Sequence, residues 1–191
     1  MLELLEEADA EIDVMTDHAN NLRSALLANR IDLYVGMCNH LEGDAAFAID
    51  EVFRDAFTGV CLRGHPLTGR RVAAAEVAGY EWVVPQLDES VRAALEAFFV
   101  GHGLARPRFR VSTNADPVMA ACLRDGRMLS VAPVAAVGRG WLADLAPFTL
   151  VGFSGERRVG LVRRAGMLAH PLQDRFAAIL RRHVRAAGPP G

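Results

Sequence analysis

The sequence predicts an α/β protein made of two similar lobes. A helix that stops and leads into a short apolar strand is written at residues 20–36, and the same pattern recurs at 116–132. In each copy, a polar capping position is followed by apolar residues at helical spacing, a stop and a buried strand. Helices that alternate with strands are typical of parallel pairing with right-handed crossovers. We therefore expect two lobes, with the function in a cleft between them.

The elements before residue 66 follow from periodicity and from turn residues. They are a helix over 2–8, a strand over 11–15, a helix over 20–29, a strand over 31–37 and a strand over 57–63. The helix over 20–29 stops at Asn29 and Arg30. The last strand ends at Gly64 and His65, because Pro66 forces the residue before it out of the helical region.

The rest of the chain continues the alternation. The predicted elements are strand 81–84, helix 89–101, strand 108–112, helix 116–125, strand 128–132, strands 148–153 and 158–163, and a last helix that opens after Pro171. Arg181, Arg182 and Arg185 fall near the end of that helix, where cations suit the helix dipole.

Composition excludes several classes of function. The 191 residues carry a formal net charge of −2, which gives no overall attraction to nucleic acid or to an anionic membrane. The three cysteines are odd in number and lack metal-ligand spacing, which indicates reduced thiols in a cytoplasmic protein. No stretch reads as a signal peptide or as a membrane span. We expect neither export nor membrane insertion.

Four segments, in their order and separation, resemble the effector-binding domain of LysR-type transcriptional regulators. They are Asp-Leu-Tyr-Val-Gly at 32–36, Val-Cys-Leu-Arg-Gly-His-Pro-Leu at 60–67, Trp-Val-Val-Pro at 82–85 and the segment 123–133. The resemblance implies a type 2 periplasmic-binding-protein-like fold, in which two Rossmann-like lobes are joined by a hinge. It also implies that the first strand of lobe one is missing from this chain.

The same resemblance implies a domain organisation and partners. Lobe one would be 1–79 plus 159–191, lobe two would be 80–158, and no DNA-binding domain is expected in this chain. DNA would be contacted through an N-terminal helix-turn-helix that the chain lacks. Dimers or tetramers are implied, with the start of lobe one against the segments 89–101 and 108–112 of a partner.

Polar loops after the predicted strands provide a candidate site for a small anionic or polar metabolite, such as a carboxylate. In open α/β sheets, ligands bind beyond the carboxyl ends of the strands, near helix N-termini. The candidate ligand-binding residues are Thr16, His18, Cys38, Gln86, Ser90, Thr113, Asn114 and Pro133. Taken singly, Thr113 and Asn114 are more simply read as helix caps. Their joint placement at one rim favours the site.

Other chemistries find little support in the sequence. His18 and Cys38 lack further ligands at metal-binding spacing, so we expect no metal site. A redox-active Cys38 would need a basic neighbour, and a lone cysteine is usually a small buried residue. No catalytic constellation is present, so we expect a sensor and not an enzyme, with no cofactor. A solute-binding protein and an enzyme of the same two-lobed fold remain alternatives.

Overall fold

The computed structural model describes residues 2–7, 11–85, 89–113, 115–167 and 170–186. The helices are α1 (Leu2–Glu7), α2 (Ala19–Leu27), α3 (Ala74–Val77), α4 (Glu89–Gly101), α5 (Asp116–Leu123) and α6 (Pro171–Ala186). The strands are β1 (Tyr34–Met37), β2 (Phe47–Leu62), β3 (Arg71–Val72), β4 (Glu81–Val84), β5 (Arg108–Ser112), β6 (Met128–Pro133), β7 (Leu145–Leu150) and β8 (Glu156–Arg164).

The chain divides into two compact units. The first unit is Met1–Asp55 with Arg157–Gly191, and the second unit is Ala56–Glu156. The chain passes from the first unit to the second within β2, and it returns at the start of β8. The boundaries therefore differ from the predicted lobes 1–79 plus 159–191 and 80–158.

Strand pairing explains why residues 56–79 belong to the second unit. Residues 57–62 of β2 pair antiparallel with β6 on one side and with β7 on the other. Val72 and Val77 are fully buried in the same hydrophobic cluster as Trp82. Burial of these side chains ties the segment to the second unit, although it precedes the predicted start of lobe two.

The second unit is a mixed sheet covered by helices. Its strands lie in the order β3-β7-β2-β6-β4-β5, and β6, β4 and β5 run parallel. The successions β4-α4-β5 and β5-α5-β6 are the predicted crossovers between parallel strands. This arrangement places the carboxyl ends of three strands at one edge of the sheet.

The first unit has a smaller sheet and a core made by α2. Its strands lie in the order β1-β8-β2, and Tyr34 of β1 is opposite Val162 of β8 in an antiparallel pair. Leu22 and Leu26 of α2 are buried against both residues. Asn29, with a positive φ of 58°, follows the helix, which confirms the predicted stop.

One predicted strand is wrong. Residues 11–18 have no regular secondary structure, and Val14 is 72% exposed. Alternation of apolar and polar residues makes a strand only where a neighbour takes up its backbone hydrogen bonds. Among the described residues, no strand pairs with this segment.

Tyr34 allows a test of how tightly the first unit is packed. Its hydroxyl is buried and has no hydrogen-bond partner among the described residues. Burial, more than the nearby Cys38, raises the pKa of this phenol from 10.0 to about 12. The phenol ionises more easily in the unfolded chain than in the folded chain. The free energy of unfolding is therefore unaffected by this ionisation below about pH 10, and it falls as the pH rises towards 12.

We expect Tyr34→Phe to raise the free energy of unfolding by about 1 kcal/mol at neutral pH, because it removes a buried hydroxyl without a partner. The variant should also lose less stability than the parent chain in alkaline buffer. Urea unfolding of both chains at neutral pH and above pH 10 measures this. A variant that is less stable than the parent chain at neutral pH would show that the Tyr34 hydroxyl has a hydrogen-bond partner.

Candidate ligand-binding site

The parallel strands of the second unit bring several predicted site residues to one edge. Val84 ends β4 beside Ser112 of β5, and the N–H of Thr113 donates to the Val84 carbonyl at 3.0 Å. Pro133 ends β6, which lies on the other side of β4. The backbone of Ser90 lies in the first turn of α4, the helix that follows β4. Thr113, Pro133 and the first turn of α4 thus share the carboxyl edge of the sheet.

The start of α5 is organised by backbone geometry more than by a capping side chain. Thr113 Oγ1 accepts a hydrogen bond from the N–H of Ala115 at 3.2 Å, which fixes the turn into the helix. Ala115 occupies the N-cap position and has no side-chain oxygen to cap the helix. Thr113 is therefore a turn residue just before the helix. This agrees in part with the alternative that Thr113 is a helix cap. Gln86 and Asn114 lie outside the described residues.

The predicted residues before α2 lie in the first unit. Thr16 is exposed in the irregular segment, and His18 is at the N-cap position of α2. Asp17 supplies the polar contacts here: its Oδ1 accepts from Asn21 Nδ2 at 2.8 Å and from the His18 N–H at 2.7 Å. These two hydrogen bonds lower the pKa of the Asp17 carboxyl. The sequence reasoning did not single out Asp17, although an Asp close to a helix start is a usual capping signal.

Cys38 lies in the core of the first unit. It is 1% exposed, and its Sγ donates to the Arg158 carbonyl at 3.3 Å. Burial raises the pKa of the thiol, although the Arg158 guanidinium opposes that shift. A raised pKa disfavours the thiolate that redox chemistry needs. These observations give Cys38 a packing role, and a ligand contact at Cys38 stays a prediction.

The cysteines should differ in reactivity. Cys38 and Cys61 are buried, and burial raises the pKa of both thiols, whereas Cys122 is half-buried on α5. In the native chain we expect a maleimide to modify Cys122 first, and to reach Cys38 and Cys61 only after unfolding. Mass spectrometry of digested, labelled protein measures this order. Rapid labelling of native Cys38 would instead favour a reactive thiol.

Two further features of the described residues bear on the class of site. No group of three or more His, Cys, Asp or Glu side chains converges as a metal site in the described part of the chain. Over the same residues, none of the helices combines the length and the apolar character that crossing a bilayer requires.

The sequence matches known transcriptional regulators. It is 33% identical over 104 residues to the HTH-type transcriptional regulator GbpR of Rhizobium radiobacter. The aligned region covers 54% of this chain and 34% of that protein. It is 29% identical over 182 residues to the SDS degradation transcriptional activation protein of Pseudomonas sp. (strain ATCC 19151), which covers 88% of this chain and 56% of that protein. The chain thus spans between a third and somewhat over half of the length of these curated relatives.

Solved structures share the fold at low sequence identity. The Synechocystis PCC6803 CcmR regulatory domain in complex with 2-PG has a TM-score of 0.76 at 17% identity, over 95% of this chain and 89% of that one. The effector binding domain of QuiR in complex with shikimate has a TM-score of 0.68 at 14% identity, over 89% of this chain and 79% of that one. These likenesses confirm the predicted fold class, the two-lobed periplasmic-binding-protein-like fold.

The family model described as the LysR substrate binding domain matches residues 5–185. The resemblance stated from the four sequence segments is thereby confirmed over nearly the whole chain. The chain belongs to the LysR substrate binding domain family.

Proposed function

We propose that this chain senses a small-molecule effector for a LysR-type transcriptional regulator, and that the bound effector controls DNA binding or transcription by moving the two units. The observation that carries the proposal is the family match over residues 5–185. Two structural relatives, CcmR and QuiR, are complexes with 2-PG and with shikimate. We expect the ligand of this chain to be of the same kind, a small anionic or polar metabolite.

The proposed site uses the carboxyl edge of the second unit. The N-termini of α4 and α5 face this edge, and helix N-termini present N–H groups that suit an anion or a polar oxygen. Ser90, Thr113 and Pro133 are the described candidates on this side. Gln86 and Asn114 are neighbours of the same edge in sequence, and we propose that they complete it.

Residues of the first unit would make the site a switch. Thr16, His18 and Cys38 are the candidates there. A ligand shifts a conformational equilibrium only by its difference in affinity between the two states. A ligand that binds one of the two states more tightly than the other has that difference.

We further propose a cytoplasmic dimer or tetramer that contacts DNA through a helix-turn-helix outside this chain. β5 is an edge strand of the second-unit sheet, and Val100 on α4 is 55% exposed. An open strand edge and an exposed apolar side chain are each suited to contact with a partner subunit. The chain would bind its effector without turning it over.

The experiment is a thermal-shift screen of small organic acids and phosphate esters, including 2-PG and shikimate, followed by calorimetric titration of each hit. Ser90→Ala and Asn114→Ala should each weaken binding by about tenfold, which is about 1.4 kcal/mol. Ser24→Ala is the control, because its hydroxyl bonds within α2 to the Asn20 carbonyl. Unchanged affinity in both site variants would refute the site, and turnover of the ligand would favour an enzyme.

A further inference from the structure

A buried ion pair joins the two chain segments that run between the units. Asp55 is the last residue of the first unit before the chain leaves it, and Arg157 is the residue at which the chain returns. Arg157 Nη2 lies 3.2 Å from Asp55 Oδ2, and the two side chains are 21% and 1% exposed. The two strands that carry these residues, β2 and β8, are thus linked by charge on the first unit's side of the boundary.

Neighbouring contacts strengthen this link. The N–H of Arg158 donates to Asn39 Oδ1 at 2.7 Å, and its Nε donates to Glu51 Oε2 of β2 at 2.7 Å. The guanidinium carbon of Arg157 lies 5.9 Å from the ring centre of Phe53, also on β2. Successive arginines of β8 therefore hold the β2 strand on the first unit's side.

The pair is poorly suited to a purely stabilising role. Arg157 Nε is buried and has no hydrogen-bond partner among the described residues. Buried ion pairs often add little net stability compared with apolar side chains of similar volume, and their better-attested use is to fix one arrangement of neighbouring elements. A buried ion pair at this position is therefore suited to fixing one arrangement of β2 and β8.

Contacts on the second unit's side of the boundary are of another kind. The N–H of Phe57 donates to the Gly155 carbonyl at 2.9 Å. A Cβ added at Gly155 would lie 3.3 Å from Phe57 Cδ2, so the missing side chain leaves the ring its space. Ala56, Ser154 and Glu156 are exposed. A glycine beside exposed residues leaves this backbone less constrained by packing than the backbone that carries the buried charged contact.

We propose that the Asp55–Arg157 pair is a clamp that holds β2 and β8 together on the first unit's side, so that the chain bends between the two units only beyond Asp55 and before Arg157. Asp55 and Arg157 are then positioning residues, which contact no effector. The clamp itself is independent of the effector, and its part in sensing rests on the proposed function. Loss of the clamp would spread the bend into β2 and β8 and loosen the coupling between ligand binding and movement.

The test measures movement in the free chain. Spin labels are attached at Ala28→Cys in the first unit and Ala75→Cys in the second, both exposed positions, in a Cys122→Ser background. Pulsed electron resonance then gives the distribution of distances between the labels. Asp55→Asn and Arg157→Gln should broaden this distribution. The matched control is Arg23→Gln, which breaks the half-exposed Arg23–Asp44 pair of the same unit and should leave the distribution unchanged.

Hydrogen exchange locates the effect. In Asp55→Asn we expect the Phe57 amide to exchange about tenfold faster, while the amides of Trp82 and Val162 in the two cores keep their rates. Asp55→Leu with Arg157→Met retains a filled apolar site, folds, and should still give the broad distribution. A folded variant with an unchanged distribution, or an equal broadening in Arg23→Gln, would overturn the clamp. Because no ligand is added, failure of the effector screen leaves this result unaffected.

Discussion

Trp82→Ala is expected to lower the free energy of unfolding by about 3–5 kcal/mol. Trp82 lies on β4, between β5 and β6, and is fully buried. Its ring meets Phe99 of α4 edge to face, with ring centres 5.9 Å apart. Truncation would remove the contact between the sheet and the helix and leave a large cavity, because strands paired on both sides cannot close around it.

Trp82→Phe separates packing from hydrogen bonding. Trp82 Nε1 is buried and has no partner among the described residues, so phenylalanine deletes an N–H that contributes no hydrogen bond. We expect this variant to lose less than about 1.5 kcal/mol. Urea unfolding followed by circular dichroism measures both variants. Equal losses in the two variants would show that the N–H, and not the packed ring, carries the effect.

Gly59→Ala is expected to lower the free energy of unfolding by about 1–3 kcal/mol, at the upper end of that range. A Cβ at Gly59 would lie 2.5 Å from two ring carbons of Phe148. Gly59 is opposite Val131 on one side and Phe148 on the other, so the strand cannot move away from the ring. Phe148 is itself 1% exposed and has no free volume to enter.

Two further variants make this result specific. Gly79→Ala should leave stability within about 0.5 kcal/mol of the parent chain, because a Cβ there meets nothing within 4 Å among the described residues. Adding Phe148→Leu to Gly59→Ala should recover part of the lost stability, which a double-mutant cycle measures. Additive losses in the cycle would argue against a clash between these two residues.

The fold was predictable where both faces of an element are buried or its ends are marked. β4, α4 and β5 have the predicted bounds, because 81–84 is a short apolar strand and Gly101 with Gly103 ends the helix. The first half of β2 was missed. Its Asp50, Glu51 and Asp55 hide the apolar pattern, and they are accommodated by arginines of β8 and α6 that the local sequence does not reveal.

The candidate site was predictable only in its topology. Parallel strands end at one edge, so Thr113 and Pro133 could be placed together from the strand order alone. The burial of Cys38 and the pairing of Asp55 with Arg157 depend on residues more than 100 positions apart in sequence. The period of a single segment carries no information on such pairs, which explains why the local sequence predicts neither the burial of the Cys38 thiol nor the Asp55–Arg157 ion pair.

We propose that this chain binds a small metabolite at the carboxyl edge of the second unit. To test this, the ¹⁵N-labelled chain is incubated with a bacterial metabolite extract, and the retained compound is identified by mass spectrometry. That compound is then titrated into the labelled chain while the amide resonances are recorded. We expect saturable shifts of the amide resonances of Thr113, Ala115 and Val134, and no shift of the amide resonances of Asn29 and Arg164. Shifts confined to residues away from β4, β5 and β6 would contradict binding at this edge. The same conclusion would follow if the double variant Ser90→Ala, Asn114→Ala retained every compound as strongly as the parent chain does.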